Sequence, residues 1–166
     1  MRMLTVLGDG EYLDDFVARI EVPSIDFLKI EVTHRPFVVV DFLHLPQFIG
    51  RIEKFQTFDH ARFHLNIHFM DVTFGLQRWT PPGGLQLKFL LDANGPLPSL
   101  VEACNTLLLP LLSNLKYFDI STRYLNSHSP SESNTVDPLW LEVLRQFSSA
   151  RSLSLGSMQF VLSHLR

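Results

Sequence analysis

One short stretch places a helix start, a helix and a strand in direct succession: DPLWLEVLRQFSSARSLSLG, residues 137–156. Asp137 is a favourable N-cap, and Pro138 at the first helical position gives up an amide that has no partner there. An apolar helix stripe follows, formed by Trp140, Leu141, Leu144 and Phe147. The period then becomes that of a strand with one buried face, with small or apolar residues at Ala150, Leu153 and Leu155. The stretch therefore predicts one helix–strand unit.

The same spacing of apolar residues, at positions one, four and six, recurs along the chain. Two further complete copies are formed by Ile25, Leu28 and Ile30 and by Leu115, Phe118 and Ile120. Two weaker copies keep the last two positions, as Phe63 with Leu65 and as Leu85 with Leu87. The copies begin at residues 25, 60, 82, 115 and 150, so they lie 35, 22, 33 and 35 residues apart. This periodicity indicates repeated units.

Helical candidates precede four of the five copies, at residues 11–20, 45–55, 97–109 and 138–147. The exception is the short unit, which predicts a strand extended into a hairpin because apolar residues alternate through Phe63, Leu65, Ile67 and Phe69, then Val72 and Phe74. Helix–strand units at this spacing predict an α/β fold, an irregular solenoid with mostly parallel strands on one face and helices on the other. The alternative is an α/β sandwich whose strands are similar by coincidence.

Four segments together resemble the leucine-rich-repeat-like region of F-box proteins that are abundant in mushroom-forming fungi: YLDDFVARIEVPSIDFLKIEV, LPQFIGRIEKF with ARFHL, LPSLVEACNTLLLPLLSNLKYFDI, and NTVDPLWLEVLRQFSSARSLSLG. The resemblance runs from Tyr12 onward. It implies a leucine-rich-repeat-like solenoid that serves as the substrate-recognition region of a ubiquitin-ligase receptor. The repeats are degenerate, because Thr33, Arg123 and Met158 replace the Asn or Cys that such repeats place three residues after the second leucine.

The resemblance divides the chain into an N-terminal segment with the first helix, residues 1–22, and a degenerate repeat domain, residues 23–166. The family places its F-box before this region, so a Skp1-type adaptor is expected as a partner only if an F-box exists upstream. At the other end, SMQFVLSHLR (157–166) predicts the start of a further helix, and the repeat domain is expected to be incomplete there.

Composition excludes several classes of function. Fourteen basic and seventeen acidic residues give a net charge of −3 without blocks of like charge, which argues against nucleic acid and anionic membranes as partners. The single Cys104 excludes an intrachain disulfide framework, and no signal peptide is recognisable. We therefore expect an intracellular protein, cytoplasmic or nuclear.

The sequence predicts no catalytic, cofactor-binding or metal site. His60, His64 and His68 are spaced like zinc ligands on a helix, but they lie in a strand pattern, which separates His64 and His68 by about 13 Å on a solvated face. Cys104 is expected to be a buried structural thiol, and Asp14 and Asp15 to be solvated. The segment TPPGG (80–84) is expected to be a turn. A small α/β enzyme or metal protein with scattered site residues remains an alternative.

The segment 121–138 is rich in Ser and Asn and predicts an exposed loop. It is either an insertion tolerated between repeats or a binding or phosphorylation loop, with Ser129 before Pro130 as the candidate modification site. The first interpretation is favoured, because long surface loops add little closure entropy.

The strand pattern also predicts a binding face. If the apolar positions face the core, alternate residues face solvent, and these mix both charge signs with an aromatic residue. Such a surface suits a protein partner or substrate. The predicted partner-binding residues are Lys29, Glu31, Arg62, His64, Gln86, Lys88, Tyr117, Asp119, Ser152 and Ser154. Tyr117 is the expected hot spot, because aromatic residues dominate interface energetics. A repeat protein that binds partners without a link to ubiquitin is the alternative to a ligase receptor.

Overall fold

The computed structural model describes residues 2–21, 24–36, 42–66, 68–76, 84–91, 96–122, 138–147, 150–156 and 158–161. They form an α/β fold with one sheet of eight strands and a layer of helices. The strands are β1 Met3–Gly8, β2 Phe27–Pro36, β3 His60–Leu65, β4 Phe69–Gly75, β5 Gly84–Leu90, β6 Tyr117–Thr122, β7 Ser152–Leu155 and β8 Met158–Val161. The helices are α1 Gly10–Arg19, α2 Leu45–Arg51, α3 Pro96–Asn105, α4 Leu109–Leu112 and α5 Pro138–Gln146, with a 3₁₀ helix at Glu53–Thr57.

The strand order is β1-β2-β5-β4-β3-β6-β7-β8. Most strands run parallel, whereas β4 is antiparallel to β3 and β5, and β8 is antiparallel to β7. The prediction that the strands near residues 28, 63, 85, 118 and 153 share one mostly parallel sheet is confirmed, as is the hairpin in the short unit. The β3–β5 block lies in reverse order, so that β2 neighbours β5.

The sheet is apolar on the side of the helices because its strands alternate. Buried positions include Leu28 and Ile30 on β2, Phe63 and Leu65 on β3, and Phe118 and Ile120 on β6. These side chains join buried residues of the helices in one core. Phe63 packs edge-to-face against Phe118, with ring centroids 4.8 Å apart. The predicted core positions of β2, β3, β5 and β6 are confirmed, whereas Leu155 on β7 is only partly buried.

The four predicted helical segments are confirmed, with α2 ending at Arg51 and α3 ending at Asn105. The predicted stripe of α5 is wrong at one position, because Leu141 is 48% exposed and Val143 is fully buried. Trp140 and Leu144 are partly buried against the core.

The prediction of a helix at residues 157–166 is wrong where the chain is described, because Met158–Val161 forms strand β8 beside β7. Gly156 precedes it with a φ of 60°, in the left-handed region that glycine adopts readily. The turn therefore returns the chain as a hairpin. Several predictions concern residues outside the described ranges: the turn at 80–83, most of the loop at 121–138 including Ser129, the N-cap Asp137, and the alternation at Ile67.

Asp14 is buried and connects α1 to α2, so the prediction that it is solvated is wrong. Its carboxylate accepts hydrogen bonds from the backbone N–H groups of Leu43, His44 and Leu45, at 3.0, 2.8 and 2.8 Å, and lies 2.8 Å from His44 Nδ1. His44, the N-cap residue of α2, makes no capping bond with its own side chain. The start of α2 is thus capped by a residue of another helix.

Candidate partner-binding face

The sheet side that faces away from the helices is here called the open strand face. All ten predicted partner-binding residues lie on it by strand alternation, and their side chains are partly or fully exposed. The pairing register aligns most of them in two rows across the sheet. The first row contains Thr5, Lys29, Gln86, Thr73, Arg62, Asp119 and Ser154. The second contains Leu7, Glu31, Lys88, Asp71, His64 and Ser121. Tyr117 and Ser152 pair with each other at the start of β6 and β7.

Strands β2, β5 and β4 carry one cluster of ion pairs and hydrogen bonds. Glu31 contacts Lys88 at 2.8 Å and Lys29 at 3.1 Å. The hydrogen bond from Lys88, reinforced by the one from Lys29, lowers the pKa of Glu31 below its usual range. Gln86 donates to Asp71 at 3.0 Å, and the Lys88 ammonium lies 5.5 Å from the centre of the Phe69 ring. Phe69 therefore faces the open side, contrary to the prediction that it continues the buried alternation.

Strands β3 and β6 carry a second cluster. His60 Nε2 lies 3.0 Å from Asp119 Oδ2, and Arg62 approaches the same carboxylate at 3.6 Å. The Tyr117 ring lies beside His60, with centroids 6.3 Å apart. His60 is buried rather than solvated, and its Nδ1 has no hydrogen-bond partner among the residues described here.

The histidines are not arranged as metal ligands. His64 Nδ1 lies 2.9 Å from Ser121 Oγ, whereas His68 lies beyond the end of β3 and is exposed. No group of three potential ligands converges within the described part of the chain. Cys104 is fully buried, as predicted, and burial raises the pKa of its thiol far above the usual range.

Four polar residues of the two rows were missed by the sequence reasoning: Thr5, Asp71, Thr73 and Ser121. Asp71 and Thr73 alternate with Val72 and Phe74, so the strand pattern contained the signal for them. Thr5 lies on β1, which was not predicted as a strand. Together the face offers hydrogen-bond donors, acceptors and charges of both signs, which suits reversible recognition of another polar surface.

Comparison with known proteins gives no match to a protein-family model, to a curated protein or to a solved structure. None of the described helices combines the length and apolar character needed to span a membrane. The function is therefore inferred from the geometry of the open strand face.

Proposed function

We propose that the chain is a non-enzymatic protein-interaction scaffold whose open strand face binds a protein partner or substrate. The observation that carries this proposal is the pair of register rows, which sets partly exposed side chains of both charge signs across six or more strands. Complementary charges give a protein interface its specificity and orientation. The ten predicted residues form the site, and Tyr117 is its main anchor.

We further propose that the fold is an irregular leucine-rich-repeat-like solenoid with one reversed block, β3–β5. Equivalent repeat positions lie side by side in two places: Leu28 pairs with Leu85, and Phe118 pairs with Leu153. The unit that begins at residue 60 is offset, because Phe63 pairs with Ile120 rather than with Phe118. These registers support stacked units, since parallel repeats bury their strands against one another in the same orientation.

A backbone ladder just before the strands also supports stacked repeats. The Lys116 N–H donates to Asp59 O at 2.8 Å, and the Arg151 N–H donates to Lys116 O at 2.8 Å. Each bond joins the residue preceding one strand to the residue preceding the next. These three neighbouring strands therefore begin with the same kind of backbone contact, which supports the stacking of successive units.

In this proposal the chain is the substrate-recognition region of an F-box-type ubiquitin-ligase receptor that acts in the cytoplasm or nucleus. The alternative is a free-standing repeat protein that binds partners without a link to ubiquitin. The open strand face is the binding site in both alternatives. The ligase receptor requires an F-box that precedes Met1 in the gene, whereas the free-standing repeat protein does not.

The binding proposal is tested by affinity capture from source lysate with crosslinking and quantitative mass spectrometry. The site variant combines Tyr117→Ala with Ser154→Arg, which removes the anchor and places a long side chain in the first row. Neither side chain makes an ion pair within the described structure, so the variant removes no partner from the ion pairs of Glu31 and Asp119. We expect specific partners to bind the variant about 30-fold more weakly, because a hot spot contributes about 2 kcal/mol or more.

The matched control combines Leu141→Ala with Ser113→Arg, at two exposed positions on the helical side. It repeats the same kinds of change, a large side chain truncated and a serine enlarged, away from the open strand face. Partners retained by the control and lost by the site variant support the proposal. A site variant that retains every specific partner contradicts it.

The link to ubiquitin is tested separately by mapping the transcript upstream of Met1. An in-frame F-box, together with binding of the longer product to a purified Skp1-type adaptor, is expected for a ligase receptor. A longer product without adaptor binding favours the free-standing alternative and leaves the binding face untouched.

A further inference from the structure

Strand β1 lies at one end of the sheet, and no strand among the described residues pairs with its outer edge. Arg2 O accepts the Phe27 N–H at 3.2 Å, which directs the backbone groups of Leu4 and Val6 toward β2. In a parallel ladder alternate residues point to opposite sides, so the N–H and C=O groups of Met3, Thr5 and Leu7 point outward. The strand MLTVLG carries no charge and no proline, the features that usually block edge pairing.

Exposed apolar side chains concentrate beside this edge. Among the described residues seven large apolar side chains are exposed, and four lie on β1 or α1: Met3, Leu7, Tyr12 and Phe16. Met3 and Leu7 are each 63% exposed on the open strand face. Phe16 lines a cavity of about 350 Å³ together with Arg2, Met3 and Leu4, so this side of α1 lies next to the start of β1. These four side chains lie on both sides of the sheet beside β1, and exposed apolar side chains grouped in this way mark a contact surface.

The sequence of the edge is nearly palindromic about Thr5: Met-Leu-Thr-Val-Leu. An antiparallel pair of two β1 strands centred on Thr5 brings Met3 opposite Leu7 of the second copy, and Thr5 opposite its own copy. These are the residues whose backbone groups point outward, so each of the three pairs exchanges two hydrogen bonds. A register shifted by one residue would place core side chains opposite open-face side chains.

The helices fit the same arrangement. Helix α1 contacts both β1 and β2, so its axis lies over these two strands. With strands about 4.8 Å apart, the two α1 helices would lie about 10 Å apart across the junction, the usual distance of packed helices. Phe16, and Tyr12 one turn earlier, would then be covered together with the edge.

We propose that two copies of the chain associate through β1, antiparallel and centred on Thr5, to form one continuous sheet. A second copy fits better than an unrelated strand because the apolar side chains are complementary to themselves in this register, and no charge repels at the two-fold axis. The two open strand faces then lie side by side on the same surface. This proposal is independent of what the open strand face binds.

Sedimentation of the 166-residue chain at about 100 µM tests the proposal. We expect a mass twice that of the 19.1 kDa chain. Thr5→Lys places two ammonium groups together at the axis, and Thr5→Asp places two carboxylates there, so each variant alone should weaken the dimer at least about tenfold. Mixing the two variants should restore a dimer of one copy of each, because opposite charges then meet.

The matched control is Ser154→Lys, in the same row but on β7, which should remain dimeric. Circular dichroism confirms that each variant is folded, which is expected because Thr5 is exposed. A wild-type chain that sediments as a monomer overturns the proposal, and the partner of the β1 edge would then be a strand of a different protein. A dimer that resists Thr5→Lys overturns the interface, and monomeric variants that fail to associate when mixed overturn the register.

Discussion

Arg62 and Phe63 are neighbours on β3 and have opposite surroundings. Phe63 is fully buried and meets the rings of Phe74, Phe118 and Phe147 at centroid distances of 6.2, 4.8 and 5.8 Å. Arg62 is exposed on the open strand face, 3.6 Å from the carboxylate of Asp119. The same contrast extends along the sheet. Along each strand, residues alternate between the close-packed core and the solvated rows of polar groups.

The two faces differ in what they contribute. Burial of apolar side chains on the core face accounts for most of the stability, because each removes a large apolar area from water. Partly exposed ion pairs such as Lys29–Glu31 contribute little, since water and salt screen them. Residues of the open strand face can therefore change to suit a partner without loss of the fold, whereas those of the core face cannot.

The largest effect is expected from Phe63→Ala. The cavity among the three neighbouring rings should destabilise the chain by about 3–5 kcal/mol, measured as the free energy of unfolding in urea. Phe63→Leu should lose less, about 1–2 kcal/mol, because most of the volume remains.

Arg62→Ala is the matched comparison for this prediction, one residue away on the other face. It should change stability by less than about 0.5 kcal/mol, because Asp119 keeps its contact with His60. Similar losses in Phe63→Ala and Arg62→Ala would show that the two faces are not as different as described.

An intermediate effect is expected from Asp14→Ala. The change leaves the first backbone N–H groups of α2 without their acceptor at a partly buried helix end, which should destabilise by about 2–3 kcal/mol in the same urea measurement. Asp14→Asn keeps one acceptor oxygen and should lose about half as much.

Asp15→Ala is the control, since Asp15 is exposed on the same helix and should be neutral within about 0.5 kcal/mol. An Asp14→Ala loss as small as that of the control would mean that water replaces the carboxylate as the cap of α2. Polar groups would then contribute as little to the free energy of unfolding on the helical side as they do on the open strand face.

Local periodicity predicted the helix–strand units and the ten face residues, because alternation along a strand is a property of neighbouring positions. It could not predict the strand order, since the reversal of β3–β5 depends on pairing between distant segments. Strand β1 was missed because its sequence does not alternate between apolar and polar residues. Met3 and Leu7 on the exposed face are apolar, and so are Leu4 and Val6 on the core face.

Asp14 illustrates a signal that was present but not used. It lies on the buried stripe of α1 with Gly10, Leu13 and Val17, at the spacing of one helical face. A carboxylate on such a stripe needs a partner, and here the partner is a helix start 30 residues away in the chain. The partner itself is not encoded in any local pattern.

The smallest effect is expected from Glu31→Gln on the open strand face, and its pH dependence identifies the ion pairs. The hydrogen bonds from Lys88 and Lys29 lower the pKa of Glu31 in the folded state. The contribution of Glu31 to the free energy of unfolding is therefore present above its unfolded pKa, near 4.3, and is lost as the pH falls through its folded pKa. Urea unfolding should show a difference between wild type and Glu31→Gln of less than about 1 kcal/mol at about pH 7, and this difference should shrink as the pH falls toward about 3. Glu102→Gln, at an exposed position of α3, should show no such trend. A difference that is independent of pH would assign the effect of Glu31 to packing rather than to charge, and a loss above about 2 kcal/mol would show that this pair stabilises the sheet as strongly as the core does.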